Sequence, residues 1–218
     1  MLFPSVVLDN FFTDPDLVKD FASKLKYYKA SDGRWPGKRT EALHLNHFSF
    51  FEYINTKILK VIYPNETINF TASTSFQKIE GNRYPNGGWV HKDKDEITAI
   101  IYLSKHKFCG TSLCKRVSLD EHQYVTEEKI KFYKKDKYDP AEVDSINKNN
   151  QYYKKILTVN SEYNRLFLFD SHHYHVAESF VDENDKSDRL TLISFISNLK
   201  SLDNKILKYG LPESKRCD

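Results

Sequence analysis

The chain has 218 residues, of which 39% are hydrophobic and 29% charged, with a formal net charge of +3. That length suits one domain with a real core, and no apolar run approaches the ~20 residues of a membrane span. The mild charge does not demand a nucleic-acid partner, and Cys109, Cys114 and Cys217 form neither a disulfide framework nor a paired-cysteine zinc site. Cysteine usage suits a reducing cytoplasm, and "MLFPSVVLDN" lacks the basic start of a secretory leader, so a cytoplasmic protein is expected.

In chain order, "VVLDN" reads as a short strand. Asp14 is then placed to cap a helix with Pro15 at its first position, and Leu17, Val18, Phe21, Ala22 and Leu25 recur on one face. "SDGRWPGKRT" reads as a loop, punctuated by Gly33, Pro36 and Gly37. A second helix is expected over Phe48 to Ile62, before Pro64. From there the pattern alternates: "INFTASTSFQKI", "ITAIIYLS", "NRLFLFD" and "RLTLISFIS" read as strands. Residues 105–160 read as a charged, roughly helical insertion and a candidate lid. The expected organisation is a single domain over 1–218: support at 1–65, a β core at 66–104 and 161–200, and the insertion between. Helices first and strands after suggest an α+β fold with a closed sandwich or jelly roll.

The densest chemistry lies in "YPNGGWVHKDKD", residues 84–95. Side chains two apart on a strand share a face, so His91 and Asp93 project together while Val90 and Lys92 turn away. Such a pair supplies two arms of the 2-His-1-carboxylate triad that binds iron(II) with open positions. His-x-Asp alone is a weak signal, and a solvated turn is its plain alternative. For a third arm, His172, His173 and His175 of "LFLFDSHHYHVAESF" all compete, and alternation puts His173 and His175 on one face. Beyond them Arg189 and Thr191 share a face at a strand start, and the arginine fork is suited to gripping a carboxylate.

Together, "RYPNGGWVHKDKDEITAIIYLS", "CGTSLCK", "NRLFLFDSHHYHVAESF" and "RLTLISFIS" resemble the prolyl-hydroxylase-type branch of the iron(II)/2-oxoglutarate dioxygenases, over about Phe76 to Ser197. The resemblance implies a double-stranded β-helix (jelly roll, cupin-like), with the N-terminal helices packed on one sheet. It implies Fe(II), 2-oxoglutarate as co-substrate and O2. It makes His91, Asp93 and His175 the iron ligands, choosing His175 over His173 by its place after the apolar run and before Val176 and Ala177. Arg189 would pair with the distal carboxylate of 2-oxoglutarate, with Thr191 and Tyr102 helping, and Tyr84 would lie near its chelating end. The implied reaction hydroxylates a C–H bond of a protein or peptide side chain, or of a small molecule, releasing succinate and CO2. The departures are Cys109 where the branch commonly has glycine, and a longer insertion before the second histidine.

Other readings rank lower. "KIKFYKKDKYD" interleaves lysines with aromatics as a nucleic-acid surface does, but Glu127 and Glu128 precede it and a solvated helix face is the expectation. A nucleic-acid demethylase of the same superfamily would carry an additional arginine several residues after Arg189, and none stands there. A non-catalytic jelly-roll module would be free to lose part of the His-Asp-His-Arg set, and the set is intact. The insertion and "GRWPGKRT" are the candidate walls of a substrate pocket. Tyr102 in an apolar strand has a plain alternative as a core residue.

Overall fold

The first helix starts where its cap lies. Asp14 accepts a hydrogen bond from the Leu17 amide at 3.1 Å, and Pro15 occupies the first turn, where its missing N–H is no loss. In the computed structural model, which describes residues 4–30, 35–80, 87–117, 133, 143–180 and 187–201, this is helix α1, Pro15–Ser23. The elements in order are β1 Val6–Leu8, α1, β2 Tyr28–Lys29, β3 Lys38–Arg39, α2 Leu43–Asn46, α3 Phe48–Ile62, β4 Ile68–Ile79 and β5 Ile97–Tyr102. They continue with β6 Thr111–Arg116, α4 Val143–Asn150, β7 Tyr153–Val159, β8 Arg165–Asp170, β9 Tyr174–Ala177 and β10 Arg189–Ser201.

Among the described residues the strands form two sheets. The larger has seven strands in the order β1-β8-β5-β10-β4-β3-β2, and the smaller three in the order β7-β6-β9. Every pairing is antiparallel. The architecture is therefore mixed helix and strand, dominated by antiparallel sheet.

Strand alternation divides the large sheet into two faces with different jobs. Ile97, Ala99 and Ile101 of β5, Leu166 and Leu168 of β8, Leu192 and Ile196 of β10 and Phe76 of β4 point to the helices, where Val18 and Ala22 of α1 and Ile54, Ile58 and Leu59 of α3 close a core. The intervening residues point the other way. Ile100, Tyr102, Phe167 and Phe169 meet Leu113 of β6 and Val159 of β7 from the small sheet. Arg189, Thr191, Ile193 and Phe195 of β10 share that second face, since Thr191 pairs with Tyr102 and Phe195 with Thr98 across to β5.

The helical face carries a buried polar cluster. Asn55 of α3 donates to the Phe51 carbonyl at 2.8 Å and to Thr74 Oγ1 at 2.9 Å, and Thr74 lies 2.9 Å from the Ser194 hydroxyl. Ser194 in turn donates to Asn55 Oδ1. With every member satisfied, the cluster pins α3 to β4 and β10 in one register.

Residues 105–160 differ from expectation. They are not one helical excursion, because both ends are strand: β6 and β7 pair with each other, and β6 also pairs with β9. Only α4 is a described helix of any length within them. The alternation in β7 is hidden because its middle is solvent-exposed and lysine-bearing. The loop read at "SDGRWPGKRT" likewise contributes β3, which pairs with Lys78 and Gln77 of β4; a two-residue strand has no periodicity to read.

Asn55→Ala should remove the amide that both Thr74 and Ser194 bond, leaving the two hydroxyls only each other in a dry core. A loss of about 2 to 3 kcal/mol, seen as a lower urea midpoint at unchanged slope, is expected. An unchanged midpoint would show that the cluster contributes nothing to stability.

Candidate metal centre

Backbone pairing builds the centre. His91 and His175 form an isolated antiparallel bridge in which each residue's N–H donates to the other's carbonyl, at 3.0 and 2.8 Å. This adds the His91 segment to β9 on the edge opposite β6, so the two imidazoles emerge side by side with ring centroids 4.3 Å apart. Upstream, the Gly88 amide donates to the Ala177 carbonyl at 2.9 Å. Gly87 makes that approach feasible, because a Cβ there would meet the Glu178 and Ala177 carbonyl oxygens at 2.6 and 2.7 Å.

Asp93 follows the bridge rather than lying in a regular strand. Its amide donates to the Ser171 carbonyl at 2.9 Å, and its Oδ2 accepts from the Thr98 hydroxyl at 3.2 Å, which itself lies 2.7 Å from the Ser171 hydroxyl. Asp93 Oδ2 is 3.2 Å from His175 Nε2, and Oδ1 is 3.8 Å from His91 Nε2. The ligand atoms of His91, Asp93 and His175 all lie within 4.8 Å of one another. As the strand reading requires, Val90 turns to the opposite side, where it is buried with Cys114 and Val176, and Lys92 lies over the Tyr174 ring.

The donor set fits a divalent metal. His91 Nδ1 lies 2.7 Å from the Trp89 carbonyl and His175 Nδ1 lies 2.9 Å from the His173 carbonyl. A carbonyl accepts only, so each Nδ1 carries a proton and each Nε2 is the ring atom turned toward the carboxylate. This arrangement, with the ring orientation fixed from behind, is the usual one for metal-bound histidine. His173 contributes its carbonyl rather than its ring, and burial lowers its imidazole pKa. His172 lies 3.0 Å from Asp170 through Nδ1.

The site opens on a cavity of about 400 Å³ between the two sheets. Arg189 lines it and is 4% exposed; its Nε donates to the Cys109 carbonyl at 3.1 Å, and its guanidinium lies 5.7 Å from the centre of the Tyr102 ring. Burial pushes the Arg189 pKa down while neighbouring Tyr102 pulls it back. Tyr102 donates to Thr111 Oγ1 at 2.9 Å, so it is Thr111, not Tyr102, that stands in the cavity wall. The Thr191 hydroxyl is buried with no hydrogen-bond partner among the described residues. The structure thus brings His91, Asp93, His175 and Arg189 to one cavity, with Thr191 and Tyr102 paired across β10 and β5 close by. Tyr84 lies outside the described residues.

Several contributors went unread in the sequence. Asn150 of α4 accepts from the Val90 amide at 2.9 Å and donates to the Gly88 carbonyl at 3.0 Å, clamping the His91 segment from within the supposed insertion. Tyr133, from the same region, lines the cavity. Trp35, Pro36 and Arg39 line it as well, from the "GRWPGKRT" segment expected to form a wall.

Solved structures define the class of fold. The chain is similar to a 2OG-Fe(II) oxygenase family oxidoreductase from Burkholderia pseudomallei, with a TM-score of 0.51, 10% identity, and 88% of this chain and 84% of that chain covered. It is similar to a prolyl hydroxylase from Trichoplax adhaerens, solved with a hypoxia inducible factor peptide, at a TM-score of 0.50, 12% identity and coverage of 88% and 83%. HygX from Streptomyces hygroscopicus, solved with nickel, 2-oxoglutarate and hygromycin B, matches at a TM-score of 0.51 and 11% identity, covering 88% and 82%. The fold is that of the 2OG-Fe(II) oxygenases. The chain itself belongs to DUF6445, a family of unknown function whose model matches residues 3–196. No curated protein matches the sequence. No described helix is long and apolar enough to cross a membrane.

Two substitutions test the centre. Asp93→Ala should weaken binding of Mn(II) or Ni(II) by at least about 100-fold, and Thr98→Val, which removes only the hydroxyl supporting that carboxylate, by about 10-fold. Calorimetric titration reads both, and wild-type affinity in Asp93→Ala would rule the centre out.

Proposed function

We propose that the protein is an Fe(II)- and 2-oxoglutarate-dependent dioxygenase that hydroxylates a C–H bond. The observation that supports it most is two imidazoles, each held through Nδ1 by a backbone carbonyl, whose ligand atoms cluster with those of one carboxylate beside a cavity that also holds a buried arginine. The two sheets are read as the walls of a double-stranded β-helix, and the whole chain as a single catalytic domain. When bound, iron(II) and 2-oxoglutarate supply dioxygen activation: one oxygen atom enters the substrate as hydroxyl, the other enters succinate, and CO2 leaves.

The side chains of this protein do the holding and shielding. His91, Asp93 and His175 would hold the ion through three donors, a set that leaves coordination positions for exchangeable ligands. Arg189, whose Nε is committed to Cys109, offers its terminal nitrogens to the distal carboxylate of the cosubstrate. Low polarity around it strengthens that pairing, because little water competes. Thr191 gains a partner for its orphaned hydroxyl. Tyr102 orients Arg189 from beneath and Thr111 from behind. Tyr84 is assigned to the chelating end of the cosubstrate on the resemblance alone. Trp89, Tyr133 and Phe180, buried together, keep that side of the cavity dry.

The substrate is taken to be a protein or peptide side chain or a small molecule. Similar folds have been solved with each kind of compound, a peptide in the prolyl hydroxylase and hygromycin B in HygX. The region over 105–160 is assigned to the substrate-facing wall, which Tyr133 supports.

Purified protein given Fe(II), 2-oxoglutarate and O2 should form succinate, slowly without substrate and faster with it. Arg189→Met should raise the 2-oxoglutarate concentration for half-saturation by about 100-fold while leaving metal affinity unchanged. Absence of succinate from metal-loaded wild-type protein, together with failure of 2-oxoglutarate to bind it, would overturn the reading.

A further inference from the structure

The cavity holds a second arginine that the dioxygenase reading does not use. Arg39 lies on β3 directly opposite Gln77 of β4, and its guanidinium reaches over two aromatic rings, 4.7 Å from the centre of Trp35 and 5.5 Å from that of Phe195. Its Nε is buried and unpartnered, as is the indole Nε1 of Trp35 beside it. No carboxylate forms an ion pair with Arg39 among the described residues. Asp93 attracts it from a distance, and burial, the larger effect, lowers its pKa to about 10, so it remains a cation at neutral pH.

A half-buried cation whose Nε lacks an acceptor, beside a buried indole donor that lacks one too, destabilises a fold unless something uses them. The local chain is nonetheless arranged to hold them in place. Gln77 donates to the Pro36 carbonyl at 2.8 Å, and Gly37 sits at φ 70°, where any side chain would be strained and a Cβ would meet the Lys78 carbonyl at 2.3 Å. This tight turn fixes Trp35 against Arg39.

Position separates this arginine from the one assigned to the cosubstrate. Arg39 lies over Phe195, which pairs with Thr98; Arg189 lies over Tyr102, which pairs with Thr191. The two rings are four residues apart on one face of β5 and β10, or about 13 Å, and the Arg39 side chain reaches the Phe195 end from its place opposite Gln77. Thr98 donates to Asp93, so the Arg39 station adjoins the metal ligands from the other side. Binding of a cation by Asp93 would also neutralise the one carboxylate that attracts Arg39, leaving the guanidinium open to another anion.

We propose that Arg39, with Trp35 and Phe195 as its aromatic walls, is the receptor for an anionic group on the substrate, a carboxylate or a phosphate, and so restricts this enzyme to anionic substrates. The proposal rests on reading the cavity as the substrate site of a dioxygenase. The guanidinium edge offers paired donors to a planar or tetrahedral oxyanion. Trp35 and Phe195 lie against the guanidinium, which leaves its donor edge as the route to a partner.

The test uses the full chain loaded with Ni(II) and saturating 2-oxoglutarate, so that Arg189 is occupied. Calorimetric titrations compare benzoate, phenyl phosphate and the neutral benzamide. At least one anion should bind about 10-fold or more tightly than benzamide, and which one does so identifies the oxyanion. Arg39→Met should abolish that preference, Arg39→Lys should keep part of it, and the melting temperature of Arg39→Met should equal or exceed that of wild type. Should the Met variant unfold, Arg39→Gln takes its place. No anion preference in wild type, or a full preference in the neutral variants, overturns the proposal. The same titrations on Arg189→Met protein without cosubstrate leave Arg39 as the arginine lining the cavity. They therefore still report on the anion site if 2-oxoglutarate binding, and with it the dioxygenase reading, fails.

Discussion

Two hydrogen bonds hold the centre together: His91 N–H to the His175 carbonyl, and His175 N–H to the His91 carbonyl. They turn residues far apart in sequence into direct cross-strand neighbours, which is the geometry that sets two rings over one point. The rest of the local structure serves that exchange. Gly87 lets the chain lie close to β9, Asn150 holds the strand from its outer side, and the Ser171 carbonyl turns Asp93 back toward the rings. Each ring is then fixed by the carbonyl two residues before it. Rotation of either imidazole would break a short hydrogen bond, so the site is organised before any ligand arrives.

The large sheet separates folding from chemistry by alternation alone. One face is aliphatic and takes the helices; the other gives aromatics, hydroxyls and arginines to the cavity. The chemistry therefore sits on residues whose neighbours along the strand are locked into the core. Thr98 shows the coupling at its smallest scale, touching Asp93 with its hydroxyl while Ile97 and Ala99 on either side are packed against the helical layer. Charge follows the same division. The two cavity arginines are both desolvated enough to have lowered pKa values, and the cluster on the helical face is uncharged.

Much of this was legible in the sequence because strong local signals agreed with the tertiary outcome. Asp14-Pro15 and the apolar spacing after them mark α1, and the span expected for α3 coincides with Phe48–Ile62. The alternation over Ile68–Ile79 follows the faces of β4. Period two turns His91 and Asp93 the same way in the sequence but leaves His173 and His175 both open; the choice of His175, and its grouping with Arg189, rests on the resemblance of the motifs taken together. What was not legible depends on distant partners. β7 is exposed along its middle, so no hydrophobic rhythm marks it, and its identity as a strand comes from pairing with β6. Asn150 lies in an asparagine-rich stretch where nothing distinguishes it from its neighbours. Arg39 looks like one more basic residue in a basic loop until β3 places it beside β4.

Oxygen chemistry of the kind proposed endangers sulfur more than most of the atoms around it, and the placement of the thiols bears on that. Cys109 and Cys114 are 0% and 3% exposed, and burial pushes the Cys114 thiol up to about 11. Peroxide attacks the thiolate, so a thiol kept protonated and out of solvent is slow to climb toward sulfenic acid. The sequence holds a single methionine, Met1, and no thioether stands among the described residues of the cavity wall. An uncoupled turnover would then meet aromatic rings before sulfur, with Trp35, Trp89 and Tyr133 the oxidisable groups of the described wall.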